Sequence, residues 1–239
     1  MSRRVAVVTG GSSTLGRAVC RALARRELRV LLAARSVSDG EAAAAAMRAE
    51  GGDVHFYPLD VGEQMSVRRF VKSVADRYGR ADILVNGAAI YLDRDLSLRE
   101  IDPGLVRQTL ETNFFGALRL SQMLVPLMQR HSYGRIVNLS SEMGLLSRMG
   151  PQTGQGFGGG ALAYRVSQAA LHVLTRVQAA EEAENNILVN SVDPQWQESG
   201  RPARTVESHE GLRAVMWLAT LPAGGPTGGF FVGRRRITW

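Results

Sequence analysis

The stretch Val5-Ala6-Val7-Val8-Thr9-Gly10-Gly11-Ser12-Ser13-Thr14-Leu15-Gly16 decides the fold of this chain. Its first four residues are apolar, which is typical of a strand that is buried on both faces. The small residues after them predict a tight turn, and a helix is predicted directly after it, from Leu15 to Arg26. Such a turn brings backbone N–H groups and the positive end of a helix dipole together, and this arrangement binds phosphate. We therefore predict that the turn holds the pyrophosphate of a dinucleotide.

Strands and helices alternate along the rest of the chain. Further strands are predicted at Val30–Ala33, His55–Tyr57, Ile83–Val85, Arg135–Leu139, Ile187–Asn190 and Phe230–Val232. Further helices are predicted at Glu41–Glu50, Met65–Tyr78, Leu105–Arg130, Ala161–Glu184 and His209–Ala219. Apolar strands that alternate with helices predict a parallel sheet covered by helices on both faces, with right-handed crossovers. The prediction is one doubly wound, Rossmann-type α/β domain over residues 1–239.

The composition supports a folded domain. The chain has 239 residues, of which 45% are hydrophobic and 21% are charged, enough for one sizeable core and unlike a disordered chain. Its longest apolar runs fall well short of the roughly 20 residues that span a bilayer, which predicts no membrane partner. The apolar segment near the N-terminus ends at Gly10, too early for a signal peptide. We therefore predict a cytoplasmic protein.

Charge and cysteine usage exclude two further classes of partner. The formal net charge is +7, but the arginines are dispersed, apart from Arg234-Arg235-Arg236, and Lys72 is the only lysine. A nucleic-acid-binding protein concentrates such charges on one face, so we predict no nucleic-acid partner. Cys20 is the only cysteine and the four histidines are scattered, which predicts neither a disulfide nor a metal site.

The end of the second predicted strand indicates which dinucleotide is bound. Ala33-Ala34-Arg35-Ser36 carries an arginine where a site for NAD normally has an acidic residue on the ribose 2′-hydroxyl. The planar guanidinium of Arg35 matches the oxygens of a 2′-phosphate instead. The predicted cofactor is therefore NADP(H).

Further motifs follow in a fixed order along the chain. They are Thr9–Gly16, Asp60-Val61, Asn86–Ala89, Asn113, Gly134–Ser141, Tyr164 and Asn190–Pro194. In these motifs the chain resembles the short-chain dehydrogenase/reductase family over nearly its whole length, and its tail from Glu210 to Phe231 resembles the carbonyl-reductase-like branch. The resemblance implies a Rossmann-type domain that binds NADP(H) and transfers hydride between the nicotinamide and a carbonyl or alcohol.

The resemblance also implies roles for individual residues. Asn113 matches the asparagine of the proton relay, Ser141 the substrate-orienting serine and Tyr164 the general acid/base. The residues implied to bind the cofactor are Gly10, Ser12, Ser13, Thr14, Leu15, Gly16, Arg35, Asp60, Val61, Asn86, Gly87, Ala88, Pro194 and Ser199. A carbonyl under reduction develops negative charge on oxygen, so it needs a hydroxyl donor and a proton source.

Four positions depart from the family's pattern. The mildest is Asn86-Gly87-Ala88-Ala89 in place of Asn-Asn-Ala-Gly, which keeps small residues. Gln168 stands where the family has the lysine of Tyr-x-x-x-Lys, and it carries no charge to stabilise the phenolate of Tyr164. Thr14 stands at the second glycine of the phosphate turn, where its β-branched side chain narrows the approach. Gln195 replaces the glycine of Pro-Gly beside the nicotinamide site.

The surroundings of the site give weaker indications. The glycine-rich segment from Pro151 to Gly160 follows the carboxyl edge of the sheet and is predicted to form a lid, and Phe157 and Trp196 flank the pocket. An apolar or aromatic substrate is therefore expected. Apolar residues of the predicted helix Ala161–Glu184 are consistent with the core and equally with a homodimer or homotetramer interface.

Three functions remain open at the level of sequence. The first is a reductase of ketones, or dehydrogenase of secondary alcohols, that uses NADP(H) and an atypical active site. The second is a non-redox enzyme, a cyclase, dehydratase or isomerase, in which Ser141 and Tyr164 polarise a carbonyl and donate a proton. The third is a catalytically silent ligand-binding protein.

Overall fold

The computed structural model describes residues 3–150, 160–195 and 210–239. The strands are β1 (Val5–Thr9), β2 (Arg29–Ala34), β3 (Val54–Pro58), β4 (Ile83–Asn86), β5 (Gly134–Leu139), β6 (Ile187–Asp193), β7 (Phe230–Val232) and β8 (Arg235–Ile237). The helices are α1 (Thr14–Ala24), α2 (Val37–Ala49), α3 (Gln64–Tyr78), α4 (Pro103–Leu110), α5 (Gly116–Gln129), α6 (Leu162–Glu181) and α7 (Glu210–Ala219).

The strands form one sheet in the order β3-β2-β1-β4-β5-β6-β7-β8. Neighbouring strands from β3 to β7 are parallel, and the reversal of order between β1 and β4 is that of a doubly wound sheet. This confirms the predicted fold class. One strand was missed, because β8 pairs antiparallel with β7 through a tight turn at Gly233, where the sequence prediction ends with the strand Phe230–Val232.

The core lies on both faces of the sheet. Along β1, Val5 and Val7 face α3 and α5, whereas Ala6 and Val8 face α1 and α7. Side chains alternate between the two faces of a strand, and both faces here are apolar because both are covered by helices. The apolar run of β1 is therefore continuous because its alternate residues pack into the two parts of the core, one on each face of the sheet.

The predicted helix Leu105–Arg130 is not continuous. It consists of α4 and α5, separated by a π-helical turn over Glu111–Phe115. Such turns insert an extra residue into a helix and are frequent at functional sites. The interruption has a consequence for the site, because the turn contains Asn113.

The outer face of α6 carries an exposed row of apolar side chains at Leu162, Val166, Val173 and Val177. The homodimer or homotetramer stays a prediction. Among the helices of the described residues, none has both the length and the apolar composition required to cross a membrane.

Candidate active site

The phosphate turn joins β1 to α1 at the carboxyl edge of the sheet. Gly10 has φ +65°, and a Cβ there would lie 2.7 Å from the Gly87 carbonyl oxygen, so only glycine fits this contact. Thr9 Oγ1 accepts hydrogen bonds from the Gly87 and Ala88 N–H groups at 3.0 and 3.1 Å. Ser13 caps α1, its Oγ accepting from the Gly16 N–H at 3.0 Å. The ends of β1 and β4 are thereby fixed against the positive end of a helix.

A cavity of about 640 Å³ opens above this turn. Its lining comes from the segments that follow β1, β2, β3 and β4, with one residue from the π-helical turn. The lining residues are Gly10, Ser12, Ser13, Ala34, Arg35, Ser36, Leu59, Asp60, Val61, Gly87, Ala88, Ala89, Ile90 and Thr112. The loops thus meet where the order of strands reverses, which is where open α/β sheets bind ligands.

Two residues of the lining carry opposite charges, Arg35 and Asp60. Arg35 is exposed at the end of β2, and within the described ranges it forms no ion pair. Asp60 follows β3, and its Oδ1 accepts a hydrogen bond from the Gly62 N–H at 2.9 Å. The cavity therefore offers one free guanidinium and one carboxylate that is held by its own turn.

Several residues predicted to bind the cofactor are not among those that line the cavity. Thr14 is the exposed first residue of α1, and its φ is not positive. Leu15 and Gly16 are buried beneath the turn. Asn86 is buried and donates to Asn138 Oδ1 at 2.8 Å, away from the cavity lining. Ser199, Trp196, Phe157 and all but the last residue of the predicted lid lie outside the described residues.

Ser141 and Tyr164 meet beyond the carboxyl end of β5. Tyr164 is the third residue of α6, and Ser141 caps a short 3-10 turn, its Oγ accepting from the Met143 N–H at 3.2 Å. The Ser141 hydroxyl still has its own proton to donate, and it lies close enough to the Tyr164 phenol to lower the pKa of that phenol. Two hydroxyl groups thus point to one position, as the stabilisation of a developing oxyanion requires.

The environment of Tyr164 keeps its phenol protonated. Burial, with smaller contributions from the negative charge of Asp193 and from Tyr91, raises the pKa of Tyr164 to about 12. The hydrogen bond from Ser141 and the positive charge of Arg94 act in the opposite direction. Near neutral pH the phenol is therefore protonated, so that it can act as a proton donor.

Asn113 and Gln168 belong to one buried network beneath Tyr164. Asn113 binds both backbone groups of Ile90, at 2.8 and 2.9 Å, and donates to Ser167 Oγ at 3.0 Å. Gln168 lies one helical turn after Tyr164, and its Nε2 donates to Ser167 Oγ at 3.4 Å. Its Oε1 is buried without a partner among the described residues. The network therefore ends in an acceptor that is free to receive a hydrogen bond.

The segment after β4 holds site residues that sequence reasoning missed. The Tyr91 ring stacks on the Tyr164 ring, with 4.2 Å between centroids and 16° between planes. The Asp93 carboxylate is fully buried and accepts from the Ala163 and Tyr164 N–H groups at 2.6 and 3.3 Å. The only signal in the sequence was their position, directly after Asn86–Ala89 at the ligand-binding edge.

Asp193 shapes the opposite side of the site. Its carboxylate accepts from the Glu142 N–H at 2.9 Å and from the Gln195 N–H at 2.7 Å, which ties the end of β6 to the turn after Ser141. Gln195 is exposed and has φ +48°, a conformation that glycine adopts more readily. Pro194 precedes it and is packed by α7, since a Cβ at Gly211 would overlap the Pro194 carbonyl. No group of three or more metal-ligating side chains forms within residues 3–150, 160–195 and 210–239.

Comparison with known proteins agrees with this geometry. Residues 4–205 match the family described as short chain dehydrogenase. The chain is 31% identical to the NADPH carbonyl reductase 1 of Macaca fascicularis, covering 99% of this chain and 98% of that protein. It is 28% identical to the (+)-neomenthol dehydrogenase of Capsicum annuum, covering 100% and 98%.

A solved structure extends the likeness to three dimensions. A metagenomic short-chain oxidoreductase, crystallised in complex with NADP, superposes with a TM-score of 0.80 at 26% identity, covering 97% of each chain. The family match spans most of the sequence and includes the phosphate turn, Ser141 and Tyr164. The chain therefore belongs to the short-chain dehydrogenase family of oxidoreductases.

Proposed function

We propose that this protein uses NADP(H) to reduce a ketone, or to oxidise a secondary alcohol, on a small apolar or aromatic substrate. The observation that carries the proposal is the neighbouring pair of hydroxyl groups of Ser141 and Tyr164 at the same sheet edge as the cavity over the phosphate turn. The relatives are named as an NADPH carbonyl reductase and a neomenthol dehydrogenase, which supports this class of reaction.

The residues of the cavity fit an NADP(H) molecule. The turn at Gly10, Ser12 and Ser13 offers backbone donors at the positive end of α1 for the pyrophosphate. Arg35 lies in the cavity wall with no ion pair among the described residues, so its charge is available for a 2′-phosphate. The free acceptor of Gln168 suits a ribose hydroxyl.

When bound, the nicotinamide supplies or accepts the hydride. In the reductive direction Ser141 donates a hydrogen bond to the carbonyl oxygen, and Tyr164 transfers its phenolic proton to that oxygen as the new C–H bond forms at the carbonyl carbon. Because the pKa of Tyr164 is raised to about 12, the acid form is fully populated at neutral pH. The oxidative direction needs the phenolate, so we expect it to require alkaline conditions.

The altered motif makes this active site atypical. Gln168 occupies the lysine position of Tyr-x-x-x-Lys, four residues after Tyr164 on α6. The roles of the site residues belong to this proposal, and they include a place for Asn113 in the proton relay.

A titration with NADPH and NADH, followed by nicotinamide fluorescence, tests the proposal. We expect micromolar binding of NADPH and binding of NADH that is weaker by about 10- to 100-fold, as for the loss of one charge-assisted contact. Arg35→Ser should remove most of that difference, whereas Arg68→Ser, on an exposed position of α3, should not. A protein that binds neither nucleotide at millimolar concentration is not an NADP(H) enzyme.

One observation favours a second candidate function, a non-redox cyclase, dehydratase or isomerase. A tyrosine that stays protonated, without a lysine beside it, suits general acid catalysis on a carbonyl that receives no hydride. Oxidation of NADPH by a panel of apolar and aromatic ketones supports the reductase. NADPH binding without turnover of any ketone would favour this second candidate or a silent binding protein.

A further inference from the structure

The segment Tyr91–Arg94 follows the carboxyl edge of β4 and packs against the start of α6. Asp93 accepts hydrogen bonds from two N–H groups of the first turn of α6, while Tyr91 stacks on the ring of Tyr164. The guanidinium carbon of Arg94 lies 5.0 Å from the Tyr91 ring centroid. One short stretch of chain thus contacts the backbone of Tyr164, stacks on its ring and places a cation next to the stacked ring of Tyr91.

The stack has a defined chemistry. Nearly parallel rings at 4.2 Å fix the plane of the phenol, because rotation about χ2 would break the contact. A cation over an aromatic face is attracted by the ring quadrupole, which holds Arg94 near the stack although its side chain is exposed. The Tyr91 ring thus contacts both the Tyr164 ring and the Arg94 guanidinium.

The charges around Tyr164 come from several elements. Asp193 at the end of β6 opposes formation of the phenolate, whereas Ser141 after β5 and Arg94 favour it. On α6 itself, Gln168 is neutral and the neighbouring Arg165 is bound to the Gly160 carbonyl at 2.8 Å. Glu142, next to Ser141, is paired with Arg148 at 3.2 Å.

We propose that Tyr91–Arg94 is a positioning segment for Tyr164, in which Tyr91 orients the phenol and Arg94 supplies through the stack part of the positive charge that Gln168 does not carry. The inference rests on the proposed role of Tyr164 as proton donor and acceptor. Neither Tyr91 nor Arg94 is assigned contact with the reacting atoms. Both act through Tyr164.

Ionisation of Tyr164 can be measured without any turnover. Site-specific 3,5-difluorotyrosine at position 164, a more acidic phenol, allows its titration to be followed by fluorine NMR. We expect Arg94→Gln to raise the pKa of this phenol by about 0.5 to 1 unit, the size expected for a partly exposed charge across one ring. Arg94→Lys should keep the pKa near its original value, and Arg99→Gln, a nearby exposed arginine, should leave it unchanged.

Kinetics give the second readout. In the oxidation of a secondary alcohol by NADP⁺, Arg94→Gln should lower kcat near neutral pH by about three- to tenfold and shift the pH profile to higher pH, since one pKa unit is a tenfold change in phenolate. Tyr91→Leu should lower kcat while the affinity for NADPH stays the same, and Tyr91→Phe should restore it because the stack remains.

An unchanged phenol pKa in Arg94→Gln would overturn the role of Arg94. Equal kcat in Tyr91→Leu and in the original protein would overturn the role of Tyr91 as an orienting residue. If no alcohol or ketone is turned over, the proposed function fails, but the fluorine titration still decides whether the charge of Arg94 reaches Tyr164.

Discussion

At the scale of single residues, the candidate site depends on the protonation states and charges of a few side chains. Tyr164 is buried beside Asp193 and keeps its proton up to about pH 12, while Gln168 at the next turn offers hydrogen bonds and no charge. Arg35 lies in the cavity wall and forms no ion pair within the part of the chain that the structure describes, as the proposed selection for a 2′-phosphate requires. Under the proposed function, this environment of Tyr164 favours proton donation over proton removal.

Gln168→Lys should raise the rate of alcohol oxidation. An ammonium group in place of the Gln168 amide would favour the phenolate of Tyr164, so we expect kcat to rise by about tenfold or more and the pH profile to shift to lower pH. The measurement is the pH dependence of NADP⁺ reduction by a secondary alcohol.

Gln168→Met is the matched control, because methionine has a similar length and no charge. The position is 1% exposed, so the lysine variant is expected to be somewhat less stable, and its folding should be checked by circular dichroism. A correctly folded Gln168→Lys with the original rate and profile would show that the missing charge does not limit the reaction.

At the scale of elements, the start of α6 is the most informative part of the structure. The residue before the helix, Ala161, has φ +56° and no capping side chain. Asp93 supplies the cap from 70 residues away in the sequence. A π-helical turn between α4 and α5 directs Asn113 to the same helix through Ser167. Two irregular elements thus fix the helix that carries Tyr164.

Asp93→Ala should destabilise the protein and reduce its activity. It leaves two N–H groups of α6 without their buried acceptor, and the expected loss is about 1–3 kcal/mol in the free energy of unfolding. Misplacement of Tyr164 should lower kcat/KM by about tenfold while NADPH binding changes little. Urea denaturation and steady-state kinetics measure the two effects.

The exposed neighbour Asp95 provides a matched control, since Asp95→Ala removes the same charge without a buried partner. Asp93→Asn retains one acceptor oxygen and should lose less stability than Asp93→Ala. Equal stability of the Asp93 and Asp95 alanine variants would show that the cap does not hold α6.

At the scale of the whole molecule, His172 joins α6 to the sheet and to the C-terminal segment. Its Nε2 lies 2.7 Å from Ser140 Oγ, and its ring packs against Phe230 and Trp239 with centroids 4.6 and 4.8 Å away. Burial lowers the pKa of His172 from 6.5 to about 4. The folded state therefore holds this imidazole in its neutral form.

The stability of the molecule should fall with acid as a consequence. Between about pH 6.5 and pH 4 the unfolded chain binds a proton at His172 and the folded chain does not. The free energy of unfolding therefore rises with pH across this window. The contribution is on the order of 3 kcal/mol, complete above the window and lost at its lower end.

His172→Gln, which does not titrate, should lose less stability than the original protein between these two pH values in urea denaturation. His131→Gln, at an exposed histidine, should follow the original protein. Parallel pH dependences for the original protein and His172→Gln would contradict the assignment.

The sequence by itself determined the fold class and the chemical groups of the site. Apolar strands and the turn from Thr9 to Gly16 are local features, and their meaning does not depend on distant residues, so the parallel sheet, the phosphate turn and Arg35 at a strand end could be predicted. Ser141 and Tyr164 were found by motif, and the structure brings the two side chains close together.

Only the tertiary structure decided how those groups are oriented. The stack of Tyr91 on Tyr164, the cap that Asp93 provides, the π-helical turn at Asn113 and the pairing of β8 with β7 all depend on contacts between distant residues or on packing. Periodicity and spacing describe which face a residue lies on, and they carry no information about which distant side chain meets it there. The acidity of Tyr164 is therefore a property of the folded chain.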